Sequence, residues 1–568
     1  MARFGDELVA AVERAERWAI HDPDPATRGA IDKLIDAGDP ALIRLFTGRI
    51  SFGTAGLRAP VGPGPNRMNA LVVRQTTSAV VEWLQANGAP EPVVVIGFDA
   101  RPDSEAFADH AAAAVRASGG VAHQADAAAP TPVFAHALLA VGADAAIVIT
   151  ASHNPAADNG YKLYLGDGLQ LVSPADAEIA TLIESSASSW TARGTMIDDV
   201  FAERHRGERH PVGEWIDGHR AAAAGALLTA ERDVRVAYTP LHGVGGVPVS
   251  AAFTAAGFDN PVIVEEQFEP DGTFPTAPFP NPEEPGALDL VISVASEEGA
   301  DVAMANDPDA DRLACAVPGR DRSSFVALSG NELGILLADH VLRHTSGDDR
   351  VVARSVVSSR MLDVMAQEHG IESEVTLTGF KWVARPIITS APARFVFGYE
   401  EAIGYCIGDH VRDKDGITAA LVAAEMFAGL RTTGSSAWDR LDELAARHGV
   451  FADHPINIRF DTNPPEVERV MSSAIAAPPL SLGDSAVVSS GPVGLGSLPA
   501  TPGLHLLAED GTQVIVRPSG TEPKIKAYIE VHEPVAGGDM GTVATARATA
   551  ASRLDAIVDD VLALLAQA

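Results

Sequence analysis

Residues 150–155 read Thr-Ala-Ser-His-Asn-Pro. Ser152 follows an apolar run, 145–150, at the point where the chain breaks into a turn, and His153 stands beside it. A hydroxyl placed this way can take up a covalent group, or it can simply cap a helix. Gly-x-Ser-x-Gly is absent there, which argues against a hydrolase elbow. Further along, Asp307-Pro-Asp-Ala-Asp-Arg312 sets three carboxylates at i, i+2 and i+4 after a second apolar run. Carboxylates held close repel one another, and a divalent cation relieves the repulsion. Few ligands with an open position suit Mg²⁺. The spacing also opens a calcium EF-hand loop, but the sixth position is Arg312 instead of Gly and the twelfth is Pro318 instead of Glu. A phosphoryl group on Ser152 would bring nearly two negative charges and acceptor oxygens for such a metal. The two motifs therefore account for one another.

Other segments suit phosphate as well. Arg517-Pro-Ser-Gly-Thr-Glu-Pro-Lys524 offers an arginine, two hydroxyls and a glycine in a tight loop, though a plain Pro/Gly turn would look similar. Phe52-Gly-Thr-Ala-Gly-Leu-Arg58 places another arginine on a glycine turn. Asp409-His-Val-Arg-Asp-Lys-Asp-Gly416 sets Lys414 among acids that should raise its pKa, unless the cations of a closed cleft offset them. Glu400 and Glu401, in Gly398-Tyr-Glu-Glu-Ala-Ile-Gly404, can accept hydrogen bonds from sugar hydroxyls or serve as ordinary loop acids. No Gly-Lys pair occurs, so there is no Walker A loop. The chain has six lysines, and only Lys33 lies away from these motifs. Lysine can give up its proton where arginine cannot, so this placement hints at proton transfer or compact phosphate contact.

The elements that must position these residues alternate. Apolar strand runs at 92–97, 145–150, 234–238, 261–265, 301–306, 351–354 and 394–397 are interleaved with helical stretches near 104–118, 247–257 and 359–369. Such alternation implies right-handed crossovers and mixed, mostly parallel sheets in three similar α/β domains. The first 50 residues read as helices, with Asp22-Pro-Asp-Pro-Ala-Thr starting one near 26–37. The last segment reads as a strand (455–460), a helix (464–475), Gly/Pro/Ser-rich loops (477–503), strand near 505–516 and at 525–531, and a helix from about 543. That is a smaller α+β domain. The expected division is 1–215 (helical extension and the domain of the Ser152 loop), 216–325 (the Asp307–Asp311 loop), 326–450 (the Glu400 loop) and 451–568 (the Arg517 loop). Each motif follows a strand directly. Ligands of open α/β sheets bind beyond the carboxyl ends of strands, so the motifs are expected to line a central cleft.

Composition narrows the class. The 568 residues exceed what one core can organise, and 46% apolar with 21% charged residues is ordinary for a globular protein. A net charge of −34 argues against nucleic acid and anionic membrane as partners. Two cysteines, Cys315 and Cys406, give no disulfide framework, and no leader or membrane span is expected, which fits a cytoplasmic protein.

In order and spacing these motifs, from about residue 50 to 535, resemble the α-D-phosphohexomutases, the phosphoglucomutase and phosphomannomutase family. Phe52-Gly-Thr-Ala-Gly-Leu-Arg58 and Asp158-Asn-Gly-Tyr-Lys162 are most similar to its phosphoglucomutase-2 / phosphopentomutase-like branch. The resemblance implies an isomerase of four domains. In it Ser152 is a phosphoserine that holds Mg²⁺ together with Asp307, Asp309 and Asp311. Arg58, His153, Lys162 and Arg312 would serve the phosphoryl site, and Lys414 the acid–base step, with His410 nearby. Glu400, with Gly379 and Ala402, would meet the sugar. Arg517, Ser519, Gly520, Thr521 and Lys524 would clamp the distal phosphate. The implied reaction interconverts glucose or mannose 1-phosphate and 6-phosphate through a bisphosphorylated sugar, with glucose 1,6-bisphosphate as activator, in a monomer or dimer. A phosphopentomutase, a metal-dependent phosphatase and a silent phosphosugar-binding protein are the alternatives. Many members have Glu-x-Ser where this chain has Glu400-Glu-Ala402, and the missing hydroxyl bears on sugar preference.

Overall fold

Asp24 starts the second helix, Pro25–Ala37, by accepting from the Ala26 and Thr27 amides, and Gly38 ends it in the left-handed conformation. Ile31 of this helix packs with Ala11, Ala15, Leu42 and Phe46, so the N-terminal helices share a small core of their own. The computed structural model describes residues 2–53, 55–190, 209–460, 464–494, 501–518 and 524–566. The chain forms two compact units. One comprises 1–227, 235–316 and 410–421; the other comprises 228–234, 317–409 and 422–568.

The first unit contains two α/β sheets. One runs in the order Leu57–Pro60, Asp158–Leu165, Ala145–Ile149, Val93–Phe98, Val121–Gln124. Its last three strands are parallel, and the first two join antiparallel at one edge. Ala145 to Ile149 are all buried, the continuous apolar run of a strand covered on both faces. Helices Ser104–Ala117 and Thr131–Val141 pack on this sheet. Thr131–Val141 has Pro132 in its first turn and left-handed Gly142 at its end. In the other sheet, Val262–Ile263, Val236–Thr239 and Val302–Ala305 are parallel neighbours, and Ala314–Pro318 joins Val302–Ala305 antiparallel.

The second unit contains the third α/β sheet, in the order Glu372–Thr376, Arg350–Ser355, Arg394–Glu400, Gly404–Ile407, with only the last strand antiparallel. It also contains a six-stranded antiparallel sheet built from Val450–Arg459, Lys524–Glu533, Gln513–Pro518, Thr501–Ala508, Ser485–Val493 and Ser481–Leu482. Val514, Val516, Ile525 and Ala527 of this sheet are buried with Met471 of helix Pro464–Ala476 and with Ile557 and Val561 of helix Met540–Ala566. Here the structure departs from the composition. Much of the described part of the segment expected to be loop, 477–503, is strand, and residues 495–500 lie outside the described residues. Ser485–Val493 tolerates Gly491 and Pro492 because its register shifts twice against Thr501–Ala508 and only a two-residue strand flanks its other edge. The strand expected near 505–516 is a hairpin that turns at Asp510-Gly511, where Gly511 has φ 82°.

Candidate phosphoryl-transfer site

Ser152 lies just beyond the end of strand Ala145–Ile149, with φ 51° and a fully buried side chain. A non-glycine residue in this conformation stores strain and persists only where its neighbours hold it. Two devices do so. The Ser152 amide donates to Thr150 Oγ1 at 2.9 Å, and the Thr150 hydroxyl donates to Asp99 Oδ2 at 2.6 Å. Arg101 donates to the carbonyls of Ser152, Asn154 (2.6 Å), Pro155 (2.8 Å) and Asp158 (3.0 Å), gathering the loop onto one guanidinium. Its Nε lies 3.2 Å from Asp99 Oδ2, an ion pair off the line of a hydrogen bond. Asp99 and Arg101 follow strand Val93–Phe98, at the same sheet end as Ser152. Neither belongs to a motif named above, although both are polar residues directly after an apolar strand, as Ser152 is.

The Ser152 hydroxyl donates to Asp307 Oδ2 at 2.5 Å, and His153 Nδ1 lies 3.2 Å from the same hydroxyl. Asp307, Asp309 and Asp311 are buried, with one oxygen of each within 4.8 Å of the others. Their loop follows strand Val302–Ala305 and turns tightly: the Ala310 amide donates to Asp307 O, and Ala310 has φ 54°. Asn306 pins the loop by donating to the Arg312 carbonyl and accepting from the Tyr238 hydroxyl at 2.8 Å. Thr131, at the start of helix Thr131–Val141, donates its hydroxyl to Asp309 Oδ2 at 2.6 Å.

Two lysines meet this acid cluster. Lys162, on strand Asp158–Leu165, lies 2.6 Å from Asp309 and 2.7 Å from Asp311. Lys414 lies 3.1 Å from Asp311 and 3.3 Å from Asp413. Gly416 allows this approach: a Cβ there would stand 2.3 Å from Arg312 O and 2.8 Å from Ala310 O. Burial opposes ionisation throughout the cluster, and the neighbours decide each outcome. For Asp307, burial and then the charges of Asp309 and Asp311 hold its carboxyl well above the usual range. Burial acts likewise on Asp311, but Lys162 and then Lys414 outweigh it and hold that carboxyl low. Lys162 is driven the other way by burial, yet Asp309 and Asp311 raise it above its ordinary value, so it stays charged. Burial, then Arg312 and Arg58, pushes His153 far below its usual pKa, which leaves a neutral imidazole beside Ser152.

The residues fit a divalent cation. Asp309 Oδ1 and Asp311 Oδ1 are buried without a hydrogen-bond partner among the described residues. Three carboxylates beside a serine oxygen form the hard, all-oxygen donor set that Mg²⁺ takes. Arg58 donates to Asn154 Oδ1 at 3.4 Å, and Arg312 lies 3.4 Å from Glu283 and 3.9 Å from Asp311. The structure thus brings Ser152, His153, Lys162, the three aspartates, Arg312 and Lys414 together, with Arg58 on the adjoining strand Leu57–Pro60. His410 takes a different partner: it faces Asp415, at 3.5 Å.

The second unit carries the remaining candidates. Glu400 ends strand Arg394–Glu400 and accepts from the Gly379 amide at 2.5 Å, where Gly379 has φ 105°. Ala402 follows in the turn before strand Gly404–Ile407. Arg517 donates to the Thr378 hydroxyl, so it stands beside the Gly379 loop. Across the sheet Arg517 is paired with Lys526. Like charges directly opposite are unfavourable in a bare sheet, which makes this spot suited to an anion. Lys526 is legible in the sequence only as a lysine beside the Arg517 motif, and Thr378 not at all, because only pairing across the sheet and the loop fold bring them to Arg517. Lys524 opens its strand opposite Arg459. Ser519, Gly520 and Thr521 lie outside the described residues.

With this geometry in hand, the comparisons with known proteins agree with one another. Residues 49–189, 218–320 and 329–448 match phosphoglucomutase/phosphomannomutase alpha/beta/alpha domains I, II and III, and 501–540 match the C-terminal domain of the same family. The chain belongs to the phosphoglucomutase/phosphomannomutase family, the α-D-phosphohexomutases, and is an enzyme of the phosphotransferring mutase type. It is 37% identical to a protein from Haemophilus influenzae named probable phosphomannomutase, over 82% of this chain and 93% of that one. It is 33% identical to the phosphopentomutase of Homo sapiens, over 93% and 92%. It is 30% identical to the human glucose 1,6-bisphosphate synthase, over 96% and 93%. In fold it is similar to a phosphoglucomutase/phosphomannomutase family protein from Burkholderia thailandensis, with TM-score 0.63 and 20% identity over 89% of this chain and 97% of that one. Among the described residues no helix is long and apolar enough to cross a membrane.

Proposed function

We propose that the protein interconverts the 1-phosphate and 6-phosphate of a hexose, glucose or mannose, through a phosphoserine at Ser152 and a bisphosphorylated sugar. The observation that carries this reading is the 2.5 Å contact between the Ser152 hydroxyl and Asp307, in a cluster where Asp309 and Asp311 each keep a buried oxygen without a partner among the described residues. A serine whose neighbours are acids is a poor acceptor unless positive charge is added, and such a set of oxygens calls for it. Asp307, Asp309 and Asp311 would hold Mg²⁺, which supplies charge neutralisation at the phosphoryl oxygens. Arg58, Arg312 and Lys162 are the groups proposed to hold the phosphoryl group, and neutral His153 to accept a hydrogen bond or a proton.

In the first half-reaction the P–O bond to Ser152 breaks as one to the sugar hydroxyl forms. Lys414 is the group proposed to exchange the hydroxyl's proton. In the second, the other phosphoryl group of the bisphosphate returns to Ser152. Glucose 1,6-bisphosphate would prime the serine. Glu400 and the Gly379 loop are proposed for the sugar hydroxyls, and Arg517, with Ser519, Gly520, Thr521 and Lys524, for the phosphate that is not transferred.

The test is Ser152→Ala, assayed for phosphoryl transfer from labelled glucose 1,6-bisphosphate to the protein and for turnover of glucose 1-phosphate. Both should vanish; near-normal turnover would overturn the mechanism. The relatives named phosphopentomutase favour a second substrate, a pentose 1-phosphate, on the same chemistry. Comparing kcat/KM for glucose, mannose and ribose 1-phosphates in the wild type and in Ala402→Ser decides between them. A hexose-preferring enzyme should gain up to about tenfold on hexose when the hydroxyl is restored, the scale of one hydrogen bond. Preference for ribose in the wild type would replace the hexose assignment.

A further inference from the structure

A second set of ligating side chains lies in the same unit as Ser152 and shares no residue with the carboxylate cluster. His219 of helix Val212–Gly225, His410 and Asp415 each offer one ligand atom, and the three atoms lie within 4.8 Å of one another. His219 Nε2 is 2.8 Å from Asp415 Oδ2, and His410 Nε2 is 3.5 Å from the same oxygen. Both imidazoles therefore turn the same nitrogen onto one carboxylate oxygen. The orientation of Asp415 is fixed independently, since its Oδ1 accepts from the amides of Ile417 and Thr418, each at 3.0 Å. Thr418 Oγ1 also donates to Oδ2, at 2.5 Å, and lies 3.1 Å from His410 Nε2. His219 and Asp415 are only 2% exposed, whereas the His410 side chain is 18% exposed, so the cluster is closed behind and open in front. The His136 ring meets His219 edge-on at 5.9 Å, and its buried Nδ1 has no partner among the described residues.

We propose that His219, His410 and Asp415 form a site for a divalent transition-metal ion, Zn²⁺ or Co²⁺, distinct from the all-oxygen cluster at Asp307. Two imidazole nitrogens and one carboxylate oxygen are the donor set that zinc and cobalt take and that magnesium leaves. The separations of 2.8 and 3.5 Å bracket the edge of about 3.3 Å expected for a tetrahedron with bonds of roughly 2.0–2.1 Å. The open side at His410 leaves room for a water as fourth ligand. Such an ion would tie helix Val212–Gly225 to the segment that carries Lys414. The site stands or falls independently of the mutase reading.

The test titrates the full-length protein with Co²⁺ in a large excess of Mg²⁺, so that the carboxylate cluster is already filled. Visible absorption and thermal melting are followed together. The wild type should take up one equivalent, with the intense visible bands of four- or five-coordinate, nitrogen-ligated Co²⁺, and its melting temperature should rise with Co²⁺ concentration. His219→Ala and His410→Ala should each weaken binding by at least about 100-fold, no less than losing an outer-shell partner does at other metal sites. The second variant guards against misfolding of the first, because His410 is the more exposed residue. Absence of saturable bands in the wild type, or unchanged affinity in a folded His410→Ala, would overturn the proposal and leave the cluster as a hydrogen-bonded brace.

Discussion

Replacing Arg101 with methionine tests how the Ser152 loop is held. Arg101 and Asp99 have side-chain exposures of 0% and 1%, so the substitution leaves a buried carboxylate without its cation. Breaking a buried pair this way costs about 3–5 kcal/mol. The carbonyls of Ser152, Asn154, Pro155 and Asp158 lose a charged donor at the same time. A hydrogen bond to a charged group nets about 1.5–3 kcal/mol, but these terms overlap, and the less buried carbonyls can turn to water. The strain of φ 51° at Ser152, about 1–3 kcal/mol, would then lose much of its restraint. A conservative total is about 3 kcal/mol in the local opening of the loop, or roughly a hundred-fold in its opening constant. A chain with two compact units is not a two-state system, so the assay should be local. Hydrogen exchange of peptides spanning 150–158 should accelerate by about that factor, while peptides from helix Met540–Ala566 keep their wild-type rates. Labelling of Ser152 by glucose 1,6-bisphosphate should fall in parallel. If 150–158 exchange at the wild-type rate in Arg101→Met, the Thr150–Asp99 bonds suffice and Arg101 does not position the nucleophile.

Ser152→Gly and Ser152→Ala should both lack turnover, but they should differ in stability. Glycine adopts the left-handed conformation freely and alanine does not, so the glycine variant should melt higher, by an amount equivalent to about 1 kcal/mol; the reverse order would refute the strain argument. Lys414→Arg keeps a cation beside Asp311 but removes a group able to exchange a proton. Its kcat should fall by about 100-fold or more with KM little changed, and retained kcat would exclude Lys414 from proton transfer. His110 accepts from Arg74 Nε at 3.2 Å, and burial, then Arg74, holds it down at about 4 from 6.5. Between those values the unfolded chain binds a proton that the folded protein refuses, so stability drops as pH falls from 6.5 toward 4, by at most about 3 kcal/mol. His110→Gln should flatten the melting temperature over that window, and a profile parallel to the wild type would show that other groups control acid sensitivity.

Much of this site is legible from local sequence, because local chemistry is what the sequence displays. An apolar strand run, then a break, then Ser152 or the Asp307–Asp311 triplet, is enough to place reactive groups at strand ends. The alternation of strands and helices is likewise enough to give three α/β sheets followed by a smaller α+β region, though not the antiparallel pairing of its strands. Composition misleads at 485–493, where glycine, proline and serine mark loops in general but a strand here, since a strand paired weakly on one side tolerates bulges and a missing donor. The partnerships are beyond the sequence. Ser152 meets Asp307 across 155 positions, and Lys162 reaches Asp309 across 147, only because the first unit packs two separate sheets so that these side chains come to one place. Nothing in the order of residues shows that Arg101 would grip four carbonyls, that Lys526 would stand opposite Arg517, or that His219 would meet Asp415. Charge is decided at the same level. Whether a carboxylate is held low, as Asp311 is, or high, as Asp307 is, depends on which cation is buried beside it. The sequence determined which reactive groups this protein owns and the strand ends that bear them. The tertiary structure decided which of them touch, because contact and burial follow from the packing of separate sheets and helices whose segments the chain itself keeps far apart.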